Sequence, residues 1–213
     1  VTACGGSKPA ETTAAATEAE TTAAESAAEE SSAEETKAAA DIETVTPGKL
    51  TVATSPDFAP YEFYAIGEDG TPKLAGFDMD LAQYIADYLG LELEVVTVDF
   101  DGVISELQTK SVDLGMAGLS PDEKRMGIMD FSDLYYMGGQ SLVTVKDNAE
   151  KYNSFEAINK PDVSVGAQVG SIQMDLANEN SPEADIVGLP KVTDIISELL
   201  TGKMDAAYIE TDV

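Results

Sequence analysis

The spacing of apolar residues after residue 47 predicts two amphipathic helices. Apolar residues recur three and four positions apart over residues 77–89, and the pattern ends at Gly90. The same spacing covers residues 192–200 and ends at Gly202. Two shorter helices are predicted as well, one around residues 103–107 and one directly after Gly170 and Ser171. These helices alternate along the chain with short apolar segments.

The apolar segments between the helices predict β-strands. They cover residues 50–53, 61–64, 91–95, 112–117, 141–145, 163–167 and 205–209. Alternation of strands with helices is typical of a parallel sheet covered by helices, hence of the α/β class. The alternation occurs twice, with a junction near residues 135–139. We therefore expect two lobes, the first over residues 47–139 and the second over residues 140–213.

The first 46 residues follow a different pattern. Residues 5–46 are almost entirely Ala, Glu, Thr and Ser, with too little apolar surface to offset the entropy of ordering. We expect this segment to be a disordered tether. Residues 1–4, Val-Thr-Ala-Cys, resemble the lipobox of a bacterial lipoprotein, in which the cysteine is lipidated. The resemblance implies a signal peptide, a lipid anchor at Cys4 and a location outside the cytoplasm, on the outer face of the cell membrane.

Composition excludes several classes of function. The 213 residues include 40 Asp and Glu but only 12 Lys and Arg, which gives a formal net charge of -28 and makes nucleic acid a poor partner. With no histidine and one cysteine, the chain offers no zinc site, Ser-His-Asp triad or disulfide framework. We expect no metal, no cofactor and no catalysis. Glu62 and Asp57 are near in sequence, but nothing beside them would activate a nucleophile.

Arg125 is the only arginine in this acidic chain, and it follows a Gly-x-Ser loop that begins at Gly118. The planar guanidinium can hold a carboxylate through two parallel hydrogen bonds, which lysine cannot reproduce. The alternative is a surface cation that neutralises Asp122 and Glu123. Composition alone does not decide between the two interpretations.

Three segments resemble the polar amino-acid-binding proteins of ABC importers. They are LTVATSPDFAPYEF at residues 50–63, GFDMDL at residues 76–81 and DFDGVI at residues 99–104. The similarity continues to residues 130–132 and covers residues 48–213. It implies a two-lobed periplasmic-binding-protein-like fold, with a mostly parallel sheet flanked by helices in each lobe. It also implies closure around a free amino acid, delivery to a membrane permease, and a monomeric protein.

The resemblance assigns one end of the ligand to Arg125, Gly170 and Ser171. Arg125 would hold the α-carboxylate in a bidentate manner. The backbone amides of Gly170 and Ser171, at the positive end of a helix dipole, would add to that contact. An ordinary helix cap is the alternative for Gly170 and Ser171.

The resemblance assigns the rest of the ligand to five other residues. Glu210 would receive the α-ammonium group, together with Ser120 and the Gly118 carbonyl. Phe58 and Phe100 would form aromatic walls around the side chain. The alternatives are a solvated acid for Glu210 and ordinary core aromatics for the two phenylalanines.

Two departures from the family pattern affect what we expect of the ligand and the fold. Ser55 is uncharged where binders of cationic amino acids commonly carry an acid, so the resemblance predicts a neutral ligand. Family members continue well beyond the position of Glu210, so we also expect an incomplete second lobe and an aggregation-prone chain. Two other functions are compatible with the fold: a dehydratase-like enzyme, and a module that senses a ligand without transporting it.

Overall fold

The computed structural model describes residues 42–213. The predicted lipobox at residues 1–4, with Cys4, therefore lies outside the described residues, as does most of the tether predicted for residues 5–46. Residues 43–213 form one unit. Among the described residues, no helix is long and apolar enough to cross a membrane.

The described chain contains ten strands and six α-helices. The strands are β1 Lys49–Thr54, β2 Asp57–Phe58, β3 Glu62–Ile66, β4 Pro72–Ala75, β5 Glu92–Thr97, β6 Leu114–Gly115, β7 Gln140–Val143, β8 Ser164–Gln168, β9 Asp185–Leu189 and β10 Ala206–Glu210. The helices are α1 Phe77–Leu89, α2 Phe100–Gln108, α3 Glu123–Met126, α4 Phe155–Ile158, α5 Ile172–Asn180 and α6 Val192–Leu200. A 3-10 turn covers Lys146–Asn148.

The first sheet is built around β1 and is parallel throughout. Its strand order is β5-β1-β6, and Val52 of β1 lies opposite Val95 on one side and Leu114 on the other. Val52 packs with apolar residues of α1, while its neighbour Ala53 packs with apolar residues of α2. Helices therefore cover both faces of the central strand, as expected for a buried parallel strand.

The second sheet has the order β7-β10-β8-β9. Strands β10, β8 and β9 are parallel, whereas β7 runs antiparallel to β10. On one face, Ile195 of α6 packs with Ala207 and Ile209 of β10. On the other, Tyr208 packs with Ala177 of α5. The alternation along β10 thus divides its side chains between two apolar layers.

A small antiparallel sheet, β2-β3-β4, precedes the first helix. Gly76 separates this sheet from α1 with φ of 124°, and a Cβ there would lie 2.1 Å from the carbonyl oxygen of Tyr61. Only glycine permits so close an approach. The backbone N–H of Asp78 donates to the same oxygen at 3.0 Å, so the first turn of α1 lies directly against β3.

The elements with regular apolar spacing agree with the prediction, and so does the helix after Ser171, whereas several short elements differ from it. Helices α1 and α6 have the predicted bounds. The strand predicted over residues 112–117 is reduced to Leu114–Gly115. Strand β9, helix α4 and most of the small antiparallel sheet were not predicted. Strand β9 contains Gly188 and exists because it pairs with β8 along its whole length, a long-range contact that local spacing does not encode.

Candidate functional site

A cavity of about 110 Å³ lies between the end of β10 and the loop that follows β6. Four of the predicted site residues line it together: Phe58, Gly118, Ser120 and Glu210. Residues 131–136, which contain no helix or strand, contribute another part of the wall. The cavity is lined by segments that precede and follow this irregular stretch, so the fold brings distant parts of the chain to one site.

Glu210 provides the acidic wall of the cavity. It is the last residue of β10 and lies opposite Gln140 in the β7–β10 register. The Gln140 side-chain amide donates to Oε2 of Glu210, and the Gln173 amide in turn donates to Oε1 of Gln140 at 2.7 Å. The other oxygen, Oε1 of Glu210, is buried without a donor among the described residues.

The unsatisfied oxygen makes Glu210 an acceptor for an external donor. Burial raises the pKa of the Glu210 carboxyl group, and Asp212 adds to that effect, while hydrogen bonds from the Gln140 side chain and the Gly139 backbone oppose it. A buried carboxylate oxygen without a donor is costly. A cationic N–H group in the cavity would supply the missing hydrogen bond and relieve the burial of charge.

Arg125 is buried, with only 6% of its surface exposed, so it is not the surface cation of the alternative interpretation. It does pair with Asp122, whose Oδ2 lies 3.1 Å from Nε and whose Oδ1 accepts the Arg125 backbone N–H. The guanidinium lies 5.7 Å above the centre of the Phe100 ring. Burial lowers the pKa of Arg125, against the effect of Asp122 and Asp175, and the side chain keeps its charge.

The guanidinium also joins the loop after β6 to the segment before α5. Nη1 donates to the Ser120 carbonyl at 2.7 Å, and Nη2 donates to the Gly170 carbonyl at 3.0 Å. A guanidinium has five N–H donors, and these contacts with Asp122, Ser120 and Gly170 use one from each nitrogen. One N–H on each terminal nitrogen is therefore left for a carboxylate.

Ser171 is occupied by local hydrogen bonds. Its hydroxyl donates to the Gln168 carbonyl at 2.7 Å and accepts the Met174 N–H at 3.2 Å, while its own N–H donates to Gln168 at 3.3 Å. The helix-cap alternative thus describes Ser171 correctly. Its amide is not free for a ligand in this conformation, because the turn before α5 folds it back onto Gln168. Gly170 presents its carbonyl to Arg125.

The remaining predicted residues divide between the cavity and its surroundings. Phe58 stacks on Tyr61 with 5.2 Å between ring centres, and a Cβ on Gly118 would lie 2.9 Å from the Phe58 ring. Phe100 is buried beneath Arg125 and does not line the cavity. Ser55 is also buried outside it, and its hydroxyl donates to Oδ1 of Asp57 at 2.8 Å.

Several residues of the site were not predicted from the sequence. Tyr61 and Tyr135 line the cavity, and Gln140 both lines it and orients Glu210. Gln140 begins a strand and carried no local signal, because its role depends on the β7–β10 register. Among residues 42–213, no cluster of three or more acidic, histidine or cysteine side chains could hold a metal ion.

Comparison with known proteins identifies the family. Residues 50–187 match the bacterial extracellular solute-binding proteins, family 3. The chain belongs to this family. The two-lobed periplasmic-binding-protein-like fold expected from the sequence is confirmed by an amino acid ABC transporter substrate-binding protein from Streptococcus pneumoniae, solved with L-arginine bound. That structure is 38% identical, with a TM-score of 0.73, over 76% of this chain and 67% of the other.

Two curated relatives show the functional range of similar proteins. The arginine-binding extracellular protein ArtP of Bacillus subtilis is 35% identical over 76% of this chain and 61% of its own length. Cyclohexadienyl dehydratase of Pseudomonas aeruginosa is 30% identical over 74% of this chain and 58% of its own length. The chain thus spans about three fifths of the length of these relatives. Most of the similar proteins are binding proteins, and an enzyme is also among them.

Proposed function

We propose that this solute-binding protein is an extracytoplasmic receptor that closes around a free amino acid and delivers it to an ABC-type permease. The observation that carries the proposal is the buried Oε1 of Glu210, which lacks a donor and lines the cavity. An α-ammonium group would donate to this oxygen. Arg125 lies outside the cavity in this conformation, and its two unused N–H groups are the donors we assign to the α-carboxylate at the other end of the same ligand.

The contacts of Arg125 also suggest how ligand binding is coupled to closure. Arg125 follows the first sheet, whereas Gly170 begins the segment before α5 of the second, and the two are 3.0 Å apart at their hydrogen bond. A ligand held by Arg125 and Glu210 would join the same two lobes. The ligand therefore stabilises the closed state, and the extent of stabilisation is set by the difference between its affinities for the closed and the open state.

For the ligand side chain, we propose a neutral group. This part of the proposal is supported by the family pattern at Ser55, which supplies no counter-charge although it lies outside the cavity, and the nearby carboxylate of Asp57 is already engaged. Oδ2 of Asp57 accepts the Val192 N–H at 2.6 Å and is 3.4 Å from the Gln168 amide, while Oδ1 accepts from Ser55. Because arginine is bound by ArtP and by the S. pneumoniae protein, arginine is the most informative competitor.

Calorimetric titration with the twenty common L-amino acids tests both parts of the proposal. We expect one or more neutral amino acids to bind, with arginine and lysine at least about tenfold weaker, a difference of about 1.4 kcal/mol. Arginine binding as tight as the best neutral ligand would refute the neutral-ligand assignment. If no amino acid bound at all, the receptor assignment itself would be wrong for this chain.

Lipid anchoring at Cys4 is a separate part of the proposal, supported by the lipobox-like residues 1–4 and the low-complexity segment after them. Two or more acyl chains provide stable attachment to a membrane. Expression of the complete gene in a bacterial host should place the protein in the membrane fraction, and Cys4→Ala should release it. Retention of the Cys4→Ala variant in the membrane fraction would contradict the anchor.

An enzyme of the dehydratase type is the second candidate, favoured by the 30% identity with cyclohexadienyl dehydratase. Glu210, the buried acid that lines the cavity, is already used in our proposal by the ammonium group of the ligand. Incubation with cyclohexadienyl substrates, followed by product analysis, separates the candidates. Turnover that depends on Glu210 would favour the enzyme.

A further inference from the structure

Two carboxyl groups, Glu62 and Asp78, are buried together beneath the cavity wall, and both are 0% exposed. Glu62 begins β3, and Asp78 lies in the first turn of α1. Their side chains are within hydrogen-bonding contact of each other. Neither residue lines the cavity, so ligand binding by itself does not explain why two acids are buried at this position.

The donors around the pair are divided unequally. Oδ2 of Asp78 accepts the Gly118 backbone N–H at 3.1 Å, and Oδ1 accepts the Tyr135 hydroxyl at 3.0 Å. Neither oxygen of Glu62 accepts an N–H or O–H from the described residues. A hydrogen bond between two carboxyl groups requires a proton on one of them. Asp78, with two other donors, is the better anion, which leaves the proton on Glu62.

The charges that face the pair favour the same arrangement. Asp57 of β2 and Asp78 of α1 face Glu62, and Tyr135 of the irregular segment faces Asp78, with Tyr61 close to that tyrosine. Among the described residues, no cation acts on the pKa of Glu62, Asp78 or Tyr135. Burial, with Asp78 next to it, raises the pKa of Glu62 to about 11. Two adjacent carboxylates without a cation would repel each other strongly in a buried site.

Both residues held by Asp78 belong to the cavity wall. Gly118 and Tyr135 line the cavity, and Gly118 also packs against the Phe58 ring. Gly118 has φ of 57°, a backbone conformation that requires support from its surroundings. The hydrogen bond to Asp78 fixes its N–H, so the position of the Asp78 carboxylate determines where this part of the wall lies.

We propose that Glu62 is protonated in the folded protein and donates its proton to Asp78, and that this acid pair is the positioning element that holds Gly118 and Tyr135 in the ligand-binding wall. The second half of this proposal rests on the proposed function; the first half does not. Glu62 and Asp78 are positioning residues, because neither lines the cavity. The hydrogen bond between the two carboxyl groups requires one proton, which Glu62 retains on folding.

The first experiment measures that proton. The unfolded pKa of glutamate is 4.5, far below the folded value, so between the two the folded state holds one proton more and stability falls as pH rises. Because of the proton on Glu62, the folding equilibrium constant should fall by about tenfold for each pH unit between about pH 6 and pH 9. Glu62→Gln keeps a donor and removes the titration, so denaturant unfolding should show a smaller pH slope by that amount. Glu68→Gln, at an exposed turn, should keep the slope of the wild type.

The second experiment measures positioning by comparing Glu62→Gln with Glu62→Met. Glutamine can donate to Asp78, whereas methionine has a similar size and no donor. The affinities for L-glutamine and L-arginine are measured by calorimetry. They should be within about threefold of wild type in Glu62→Gln and at least about tenfold lower in Glu62→Met. In the absence of ligand, hydrogen exchange of the Gly118 N–H should accelerate in the methionine variant alone.

The outcomes separate the parts of the proposal. An unchanged pH slope in Glu62→Gln would show that Glu62 is ionised when folded, and would overturn the proton-sharing pair. Wild-type affinity and wild-type Gly118 exchange in Glu62→Met would overturn the positioning role. If the wild type binds neither these two nor any other common amino acid, the receptor assignment is wrong for this chain, but the pH slope and the Gly118 exchange still decide whether the pair exists.

Discussion

Replacement of Arg125 by lysine tests the proposed carboxylate site most directly. The guanidinium bonds Ser120 and Gly170 at 2.7 and 3.0 Å and lies 3.1 Å from Asp122, while an N–H remains on each terminal nitrogen. A lysine ammonium has three donors on one atom and cannot serve these three partners and a bidentate ligand. The ligand carboxylate would then be buried with an incomplete set of partners.

The expected loss of affinity follows from that incomplete pairing. Truncating one side of a buried, hydrogen-bonded charge pair costs about 2–5 kcal/mol, so Kd for the best amino-acid ligand should rise about thirtyfold or more in Arg125→Lys. Arg125→Ala should weaken binding further. The variants also lose hydrogen bonds within the protein, so their Tm should fall, and calorimetry must be run well below it.

The matched control is the neighbouring cation, Lys124. Its ammonium pairs with Asp175 across the lobes at 2.9 Å, but the two side chains are 78% and 60% exposed. An exposed pair contributes about 0–1 kcal/mol, so Lys124→Gln should stay within about fivefold of the wild-type Kd. If Arg125→Lys binds as tightly as this control, Arg125 does not hold the ligand, and the site would have to be placed elsewhere.

Two further predictions concern Glu210 and the contact between the lobes. A Cβ at Gly138 would lie 1.9 Å from Oε1 of Glu210, so Gly138→Ala should displace the carboxylate and reduce affinity in calorimetry by at least about tenfold. The control is Gly127→Ala, because a Cβ at Gly127 has no neighbour closer than 3.4 Å. Equal affinities for the two variants would contradict this role of Glu210. Asp57 caps the first N–H of α6 at Val192 from the other lobe, so Asp57→Ala should cost about 0.5–2 kcal/mol of closed-state stability, seen as a twofold to thirtyfold higher Kd, and an unchanged Kd would show that this cap does not favour closure.

The outcome for the helices shows how far local sequence determines structure. α1 and α6 have the bounds that apolar spacing predicts, and α1 ends at Gly90 in the left-handed conformation. The spacing suffices because helix hydrogen bonds are local and each apolar stripe has a fixed period. The short β6 and the unpredicted β9 show the opposite case, since a strand exists only where a partner lies beside it.

The site shows the same division between local and long-range information. The motif resemblance placed Phe58, Gly118, Ser120 and Glu210 at one site, and the structure brings them to one cavity. It did not reveal that Arg125 would lie against Phe100 and the Gly170 carbonyl, outside that cavity. The position of Arg125 depends on how the segment before α5 approaches the loop after β6, which is set by packing between lobes.

The sequence by itself thus determined the fold family, the helices and the types of residue available for binding an amino acid. Only the tertiary structure placed Gln140 against Glu210, and Glu62 against Asp78, Gly118 and Tyr135. The physical reason is that hydrophobic period and motif are local properties of the chain. The protonation of a buried acid and the direction of a carboxylate instead depend on donors and charges that come from distant residues and meet only after folding.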